Sequence, residues 1–333
     1  MKTVSIIIPF YNGEPFIHRC FCNICKQTYE HSAIECIFVN DGSIDNSTSL
    51  INNLISSNTS NIVFRQISHS YNQGVSAARN TGIKESKNEY IFFMDVDDTI
   101  TENCLELLFH ATSRYPESTI IAGNILNKKN STCHHTNLKT VIRKGIENNL
   151  HDVLLFIYTS FSYNRLIPRD FIIKNNLFFP VGIPYFEDLQ WNIDVARCAS
   201  TIVYIPEITY FYEYVTTSAM SISEKRQDTI AKCYMSLIQK AMTIDNKECN
   251  IEIHIFIHFY IMKLLGMRNL NSIKRNDIYI LRKRLFIQAI KLGNVFLIAY
   301  DLQLYQPFRH IANCKFVRNR SAELRLWVCN KTK

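Results

Sequence analysis

The chain has no long apolar run, although 47% of its 333 residues are hydrophobic. Its most apolar segment, 251–267, is interrupted by four polar or charged side chains and falls short of the ~18 apolar residues that a membrane-spanning helix needs. The opening run Val4–Ile8 ends at Pro9 with no small-residue cleavage site after it, which favours a buried strand over an export signal. We therefore expect a cytoplasmic globular protein without a transmembrane helix.

The sequence also lacks a convincing set of zinc ligands. Cys22 and Cys25 form one Cys-x-x-Cys pair, with Cys20 beside it on a predicted helix, but a zinc site needs a second pair at a suitable spacing. The other candidate is Cys133-His134-His135. Because eleven cysteines without an export signal indicate a reducing compartment, we interpret them as ordinary thiols.

Acidic residues are scarce at the end of the chain, where residues 263–333 hold 15 Lys and Arg against three acids. The net charge of +8 is therefore concentrated there, among interleaved aromatic and aliphatic residues. Such a basic amphipathic region is typical of helices that lie on anionic lipid, here the inner leaflet of the membrane. Nucleic acid would fit the charge equally well, but we expect no nucleic-acid partner because no known binding motif is present. A basic surface exposed to solvent is the third interpretation.

Residues 1–125 alternate strand and helix patterns. The predicted strands are short and rich in Ile, Val and Phe, as expected of strands that are buried on both faces. They cover 4–10, 34–40, 62–67, 90–94 and 119–122. The helical patterns cover 15–26, 47–57, 75–86 and 102–113. This alternation predicts right-handed βαβ units, and hence an α/β fold with a mostly parallel central sheet.

Beyond residue 125 the pattern changes. Residues 126–150 are polar and predict a loop or an edge hairpin, and 151–215 show a mixed pattern. Helices are predicted near 223–244, 250–267, 274–291 and 321–329. We therefore expect an α/β domain over residues 1–220 and a basic helical region over 221–333.

Chemically useful side chains follow each of the first four predicted strands. They are Tyr11 and Asn12, then Asp41-Gly42-Ser43, then the loop 69–74, and finally Asp95-Val96-Asp97-Asp98. Because the carboxyl ends of parallel strands lie at one edge of a sheet, we expect these groups to converge on one ligand-binding crevice.

The three carboxylates of Asp95, Asp97 and Asp98 crowd the end of one buried strand. Their mutual repulsion is costly unless a cation compensates for it, and hard carboxylate oxygens suit Mg²⁺ or Mn²⁺. The alternative is an acidic turn that caps the helix starting near Thr101. In the third loop, the free amides of residues 72–74 and the Arg79 side chain could bind a phosphate, whereas the alternative for Arg79 is an ordinary surface arginine.

The segments VSIIIPFYN, FVNDGSIDNS, NQGVSAARNTG and FFMDVDD, in this order and spacing, resemble the nucleotide-binding half of the family 2 glycosyltransferases, which have the GT-A fold. A fifth segment, FPVGIPYFED at 179–188, is similar to the acidic motif of the family, and Tyr163-Asn-Arg-Leu precedes it. The resemblance covers roughly residues 3–220. It implies that residues 1–220 are a GT-A catalytic domain.

The resemblance also implies roles for individual residues. It implies a nucleotide-sugar site formed by Pro9, Tyr11, Asn12, Asp41, Arg79, Asp95 and Asp97. Tyr11 and Asp41 would hold the base, Arg79 would contact the base or the diphosphate, and Asp95 would contact the ribose or the donor sugar. Asp97 and Asp98 would hold the metal ion and the diphosphate. Asp188 would be the catalytic base, with Glu187 beside it; from sequence alone the two could instead be an acid pair favoured at a helix N-terminus.

The activity implied is that of an inverting, Mn²⁺- or Mg²⁺-dependent hexosyl- or N-acetylhexosaminyltransferase. The donor would be a UDP-sugar and the acceptor a saccharide or lipid-linked saccharide of cell-surface polysaccharide or lipopolysaccharide synthesis. No Gln-x-x-Arg-Trp, the signature of processive synthases, is present, so we expect transfer of a single sugar. Glu213 stands where the family commonly has a basic residue, which puts a diphosphate contact from that loop in doubt.

Two alternatives remain open. A nucleotidyltransferase that makes sugar nucleotides would usually have a Gly-rich phosphate loop near the first strand, where this chain has only Gly13. A non-catalytic binding protein could keep the fold, but it would not need Asp97, Asp98 and Asp188.

Overall fold

The structure, a computed structural model, describes residues 1–133, 139–157, 161–213, 227–244, 250–267 and 273–291. The chain divides into two compact units, Met1–Ser221 and Ile222–Lys333. The first is a mixed α/β unit built on one curled sheet, and the described part of the second is helical.

The first half of the sheet is parallel, as predicted. Its strands are β1 (Val4–Phe10), β2 (Ile34–Asn40), β3 (Val63–Ser68) and β4 (Tyr90–Phe93), and the helices between them are α1 (Glu14–Cys25), α2 (Ser47–Ser56) and α3 (Val75–Glu85). The spatial order is β3-β2-β1-β4. Every residue of β1 and β2 is buried, which explains why these two strands read as continuous apolar runs. Ile17, Cys20, Phe21 and Ile24 form the buried stripe of α1, at the spacing of one helix face.

The second half of the sheet mixes strand directions. Its elements are β5 (Thr99–Ile100), α4 (Cys104–Arg114), β6 (Ile120–Asn127), β7 (Thr132–Cys133), β8 (Val141–Lys144), α5 (Ile146–Leu154), β9 (Arg165–Pro168), α6 (Arg169–Lys174), α7 (Glu187–Cys198) and β10 (Thr201–Tyr212). The sheet continues as β4-β9-β6-β10-β5, and β9 is antiparallel to both of its neighbours. β6 and β10 are parallel to each other, while β7 and β8 add short antiparallel pairs.

Among the described residues of the segment 126–150, β6 and β7 form an antiparallel hairpin, one of the two structures predicted for it, and two further elements are present. They are β8, in which exposure alternates along the strand, and the first half of α5. The sequence pattern missed α5 because its buried face includes Asn149, His151 and Asp152, side chains that do not mark a helix face by hydrophobicity. Asp152 is paired with Arg143 of β8 at 2.8 Å, which compensates for its burial.

The second unit has three described helices, α8 (Gln227–Met242), α9 (Asn250–Gly266) and α10 (Arg275–Lys291), close to the predicted positions. α8 packs on α9, and α9 packs on α10. The helix predicted near 321–329 lies outside the described residues. Among the described helices, none combines the length and the apolar character that crossing a membrane requires.

Candidate active site

A pocket of about 540 Å³ opens at the carboxyl edge of the parallel half-sheet. Its lining comes from the loops after β1, β2, β3 and β4. The predicted site residues in this lining are Pro9, Tyr11, Asn12, Asp41, Arg79, Asp95 and Asp97. The structure therefore brings all the residues expected to bind a nucleotide sugar into one pocket, although their individual roles stay predictions.

The loop after β1 is fixed to the loop after β2. The backbone N–H of Asn12 donates to the Ser43 hydroxyl at 2.9 Å, and the Asn12 side chain accepts from the Ile44 N–H at 3.0 Å. Asn12 adopts φ 51°, which an asparagine tolerates better than most residues. Tyr11 beside it is 47% exposed, so its ring is accessible to a ligand in the pocket.

Asp41 organises the loop after β3. Its carboxylate accepts from the backbone N–H of Gln73 at 2.9 Å and of Gly74 at 2.7 Å, and it contacts His69 Nδ1 at 2.8 Å. His69 is held on its other side by the Thr81 hydroxyl at 2.9 Å. Gly42 is required in this arrangement because it has φ +74° and a Cβ there would lie 2.5 Å from the Tyr71 backbone.

The acidic turn after β4 directs its carboxylates to different places. Asp95 and Asp97 line the pocket, whereas Asp98 is only 1% exposed and does not line it. The Tyr210 hydroxyl donates to Asp98 Oδ2 at 2.7 Å and the Glu213 N–H donates to Oδ1 at 2.9 Å. The same Tyr210 hydroxyl accepts from the Asp95 N–H at 3.2 Å. Tyr210 thus fixes the turn from the neighbouring strand β10.

The turn carries more negative charge than the surrounding protein compensates. Burial, together with the charge of Asp95, raises the pKa of Asp97 to about 6. Burial likewise raises the pKa of Asp98, against the two hydrogen bonds that favour its ionised form. Within the described residues no cluster of three His, Cys, Asp or Glu forms a complete metal cage. The turn nevertheless fits Mg²⁺ or Mn²⁺, since such ions take one or two carboxylates and complete their coordination with substrate phosphates and water.

Arg79 joins the pocket to the second acidic segment. Its guanidinium donates to Asp95 at 3.0 Å and to Glu187 at 3.1 Å, and it lies 5.2 Å from the centre of the Phe179 ring. The next residue, Asn80, exchanges two hydrogen bonds with the Phe179 backbone, which holds the start of the loop to α7 against α3. Arg79 is 5% exposed, so the interpretation as an ordinary surface arginine is wrong.

Glu187 and Asp188 form the first turn of α7. They are therefore also an acid pair at a helix N-terminus, so this interpretation and a catalytic one are compatible. Phe186, just before them, has φ 63° and ψ 20°, the left-handed conformation. Burial and the adjacent charge of Glu187 raise the pKa of Asp188 to about 7, while Arg79 opposes the shift. A carboxyl that titrates near neutral pH can act as a general base there.

Three residues near the site were not predicted from the sequence as site residues. His69 holds Asp41, Tyr210 holds the acidic turn, and Arg165 is buried on β9. No local feature of the sequence indicates the partners of His69 and Tyr210 or the burial of Arg165. Glu213 pairs with Lys128 and accepts from the Thr99 hydroxyl at 3.1 Å, so its carboxylate is bound to protein groups.

A parallel half-sheet with an acidic turn at its carboxyl edge, continued by a mixed half-sheet with a second acidic segment on a following helix, is the architecture of the GT-A fold. Residues 5–171 match the model of the family described as "Glycosyl transferase family 2". The chain belongs to this family, and both the expected family and the expected fold are confirmed.

Two curated relatives are 30% identical to the chain. They are the "Uncharacterized glycosyltransferase EpsJ" of Bacillus subtilis, over 67% of this chain and 64% of the relative, and the "Poly(ribitol-phosphate) beta-N-acetylglucosaminyltransferase TarP" of Staphylococcus aureus, over 58% and 57%. The chain thus spans less than two thirds of the length of these relatives.

Solved structures share the fold. The crystal structure of S. aureus TarS 1-349 superposes with a TM-score of 0.68 at 18% identity, covering 96% of this chain and 89% of that one. A mannosyltransferase from Pyrobaculum calidifontis, in complex with GDP-Man and Mn²⁺, superposes with a TM-score of 0.57 at 15% identity, covering 98% and 87%.

Proposed function

We propose that this family 2 protein transfers one sugar from a nucleotide diphosphate sugar to a hydroxyl of a saccharide or lipid-linked acceptor, with inversion at the anomeric carbon. The observation that carries the proposal is the Arg79 bridge between Asp95 and Glu187. It places the pocket's acidic turn and the acid pair of α7 on either side of one guanidinium, so that a donor in the pocket would lie next to Asp188.

The groups that line the pocket are suited to bind the nucleotide-sugar donor of the proposed reaction. Tyr11 offers an exposed ring for a nucleobase, and Asp41, while holding the loop 69–74, also lines the pocket where it can accept a base N–H. The Asn72 and Gly74 backbone at the start of α3 lies in the same lining, at a helix N-terminus that favours phosphate. We propose UDP as the nucleotide because the related fold of TarS was solved in complex with UDP-GlcNAc.

Asp188 is the group proposed to activate the acceptor hydroxyl. In the proposed step, its carboxylate takes the proton of the acceptor hydroxyl as the oxygen forms a bond to the anomeric carbon. The bond between this carbon and the diphosphate oxygen breaks, and the nucleoside diphosphate leaves with the electron pair. Attack from the face opposite the leaving group inverts the configuration. Glu187, held by Arg79, positions the base and the donor.

Asp97 is the proposed protein ligand of the divalent ion, since its carboxylate lines the pocket. Asp98, predicted with it as a ligand, would contribute chiefly by keeping the turn in place through Tyr210 and Glu213. When bound, the ion stabilises negative charge on the leaving diphosphate. Asp95 and Arg79 would orient the donor beside it.

The proposed acceptor belongs to cell-surface polysaccharide or lipopolysaccharide synthesis. The relative TarP is a poly(ribitol-phosphate) beta-N-acetylglucosaminyltransferase, which supports an N-acetylhexosaminyl or hexosyl donor and a surface polymer as acceptor.

A panel of nucleotide sugars, with and without Mn²⁺ or Mg²⁺, tests the proposal through release of nucleotide and the shift in melting temperature. We expect a UDP-sugar to raise the melting temperature only with the metal present, and nucleotide release to accelerate when saccharide acceptors are added. Asp170→Asn is the control variant, because Asp170 is an exposed carboxylate on α6 and contacts only Lys174 at 3.7 Å among the described charged residues. A protein that is indifferent to every sugar nucleotide, with either metal, would refute the proposal.

The same assay, extended by a sugar phosphate with a nucleoside triphosphate, separates the two alternatives. A nucleotidyltransferase would form a sugar nucleotide from a sugar phosphate and a nucleoside triphosphate, and a non-catalytic protein would bind the donor without releasing nucleotide. Membership of family 2 supports neither.

We further propose that the second unit binds the cytoplasmic face of the membrane. On α10, Tyr279, Ile280 and Ile287 are 41–49% exposed and share one side with the exposed Lys283 and Arg284. An apolar and basic helix face of this kind binds anionic lipid. The basic residues beyond 291 lie outside the described residues. Cosedimentation with phosphatidylglycerol vesicles should be lost with Lys283→Gln and Arg284→Gln combined and should be absent for neutral vesicles; equal binding to both would refute it.

A further inference from the structure

The charged side chains that line the pocket are mostly acidic. Among the described residues they are Asp41, Asp95 and Asp97, against the single cation Arg79. Arg79 is already bonded to Asp95 at 3.0 Å and to Glu187 at 3.1 Å, so protein carboxylates compensate its charge. A diphosphate would add negative charge to this pocket, and more develops on it as the sugar leaves. A divalent ion offsets part of this charge, and a second cation close to the acidic turn would offset more.

Arg19 is a cation in direct contact with that turn. It lies in the first half of α1, and its Nη2 donates a hydrogen bond to the backbone carbonyl of Asp97. Its guanidinium lies 5.9 Å from the centre of the Phe16 ring, and Phe16 lines the pocket. Because Phe16 and Arg19 are three residues apart, they share one face of α1. Arg19 is therefore held at the border of the pocket, next to the residue proposed to bind the divalent ion.

The guanidinium of Arg19 is exposed and keeps most of its donors free. Within the described part of the chain it forms no ion pair with a carboxylate, and the Asp97 carbonyl occupies one of its five N–H groups. Other cations of the first unit are compensated: Arg65, Arg143 and Lys128 each pair with a carboxylate at 2.5–2.9 Å. The charge of Arg19 is thus available to a ligand.

A purely structural role would not require this charge. A neutral side chain with an N–H group could donate equally well to the Asp97 carbonyl. What the guanidinium adds is a positive charge and further N–H donors in one plane, which are the properties that bind phosphate oxygens.

We propose that Arg19 binds the diphosphate of the donor at the border of the pocket and stabilises the negative charge on the leaving nucleoside diphosphate. The inference rests on the proposed function, in which the pocket holds a nucleotide diphosphate sugar. It gives α1, which otherwise contributes only Phe16 to the lining, a part in recognising the donor.

Arg19→Gln in the full chain tests the inference, because glutamine keeps an N–H donor but removes the charge. We expect isothermal titration calorimetry with Mn²⁺ present to show UDP binding about tenfold weaker than in the wild type. Uridine, which lacks the phosphates, should bind within about twofold of wild type. The difference for UDP should shrink at high salt, since exposed charges are then screened. The kcat for transfer should also fall, because the charge on the diphosphate is greatest as the sugar leaves.

Two further variants complete the experiment. Arg19→Lys keeps a positive charge and should recover most of the affinity for UDP. Lys26→Gln removes an exposed cation at the end of the same helix, where its nearest described carboxylate is that of Glu102 at 3.9 Å, and should leave UDP binding unchanged.

The outcomes separate the inference from the proposed function. UDP affinity that is unchanged in Arg19→Gln would overturn the inference. A parallel loss of UDP and uridine affinity, without recovery in Arg19→Lys, would also overturn it and would indicate that Arg19 only supports the acidic turn. If the wild type binds neither UDP nor any sugar nucleotide, the proposed function itself fails.

Discussion

The two halves of the central sheet form their parts of the site in different ways. In the parallel half, β1 to β4 end at one edge, and the loops that follow them meet directly in the pocket proposed for the donor. In the mixed half, Asp188 comes from the start of α7 and Tyr210 from β10, a strand with both parallel and antiparallel neighbours. Regular α/β topology is thus sufficient to form the pocket, whereas the group proposed for catalysis and the side chain that holds the acidic turn depend on irregular, long-range packing.

From this difference between the two halves, we expect variants of the mixed half to lower the rate of sugar transfer and variants of the parallel half to weaken donor binding. Asp188→Asn should have the largest effect. It removes the base while keeping a side chain of the same size, so transfer should fall by about 10³-fold. Donor binding, measured by thermal shift with UDP-sugar and metal, should stay within about twofold of wild type. Equal loss of both properties would remove Asp188 from the role of base.

Asp97→Ala should show the opposite pattern. Without this carboxylate the pocket lacks its proposed protein ligand for the metal, and the metal-dependent thermal shift with UDP-sugar should disappear, with transfer reduced by on the order of 10²-fold. The variant itself should fold, because removing a carboxylate whose pKa is raised by burial relieves repulsion with Asp95. A donor-induced shift that persists in Asp97→Ala would contradict the assignment.

The pH dependence of transfer is the third test. Asp188 must be ionised to accept a proton, and its pKa is raised to about 7, so the rate should rise about tenfold per pH unit below 7 and level off above it. The residual activity of Asp188→Asn should lack this limb. The free energy of unfolding should change with pH in the opposite direction to the rate. The folded state holds the proton of Asp188 more tightly than the unfolded chain does, so the contribution of Asp188 to stability is lost as the pH rises from ~4 to ~7.

Tyr210→Phe should have the smallest effect of these changes. It tests the contact by which β10, in the mixed half, holds the acidic turn that follows β4 in the parallel half. It removes the hydroxyl that joins the Asp95 N–H to the Asp98 carboxylate, leaving Asp98 with one protein donor. We expect a loss of about 1–3 kcal/mol in the free energy of unfolding, measured by urea denaturation, and a several-fold weaker donor affinity. Tyr212→Phe, in the same strand but half-buried, is the control. Unchanged stability in Tyr210→Phe would show that the turn holds its shape alone.

Local patterns predicted the parallel half well. The bounds of β1 and β2 are those that the sequence indicates, and α2 and α3 each end one residue earlier than predicted, because buried strands and amphipathic helices are marked by their own residues. The loops at the carboxyl edge follow from that topology, which is why most of the pocket residues could be anticipated, and the family resemblance supplied the rest.

Contacts between distant residues could not be anticipated in the same way. The run of acids at 95–98 does not indicate that Asp97 turns to the pocket while Asp98 turns to Tyr210, 112 residues further along the chain. His69 is equally dependent on context, since its position is defined by Asp41 and Thr81. The position after a buried strand identified the acids at 95–98 and the family resemblance identified Glu187 and Asp188, but only packing shows which of these carboxylates line the pocket.

The left-handed backbone at Phe186 has a consequence for how the chain can vary. A residue with a Cβ adopts this conformation at a cost of about 1–2 kcal/mol, so the loop before α7 would relax if Phe186 were glycine or asparagine. Yet this twist decides the direction in which the helix leaves the loop, and thereby where its first two acidic side chains point. Replacing Phe186 with glycine or asparagine should therefore increase the stability of the protein and make the orientation of Glu187 and Asp188 less well defined.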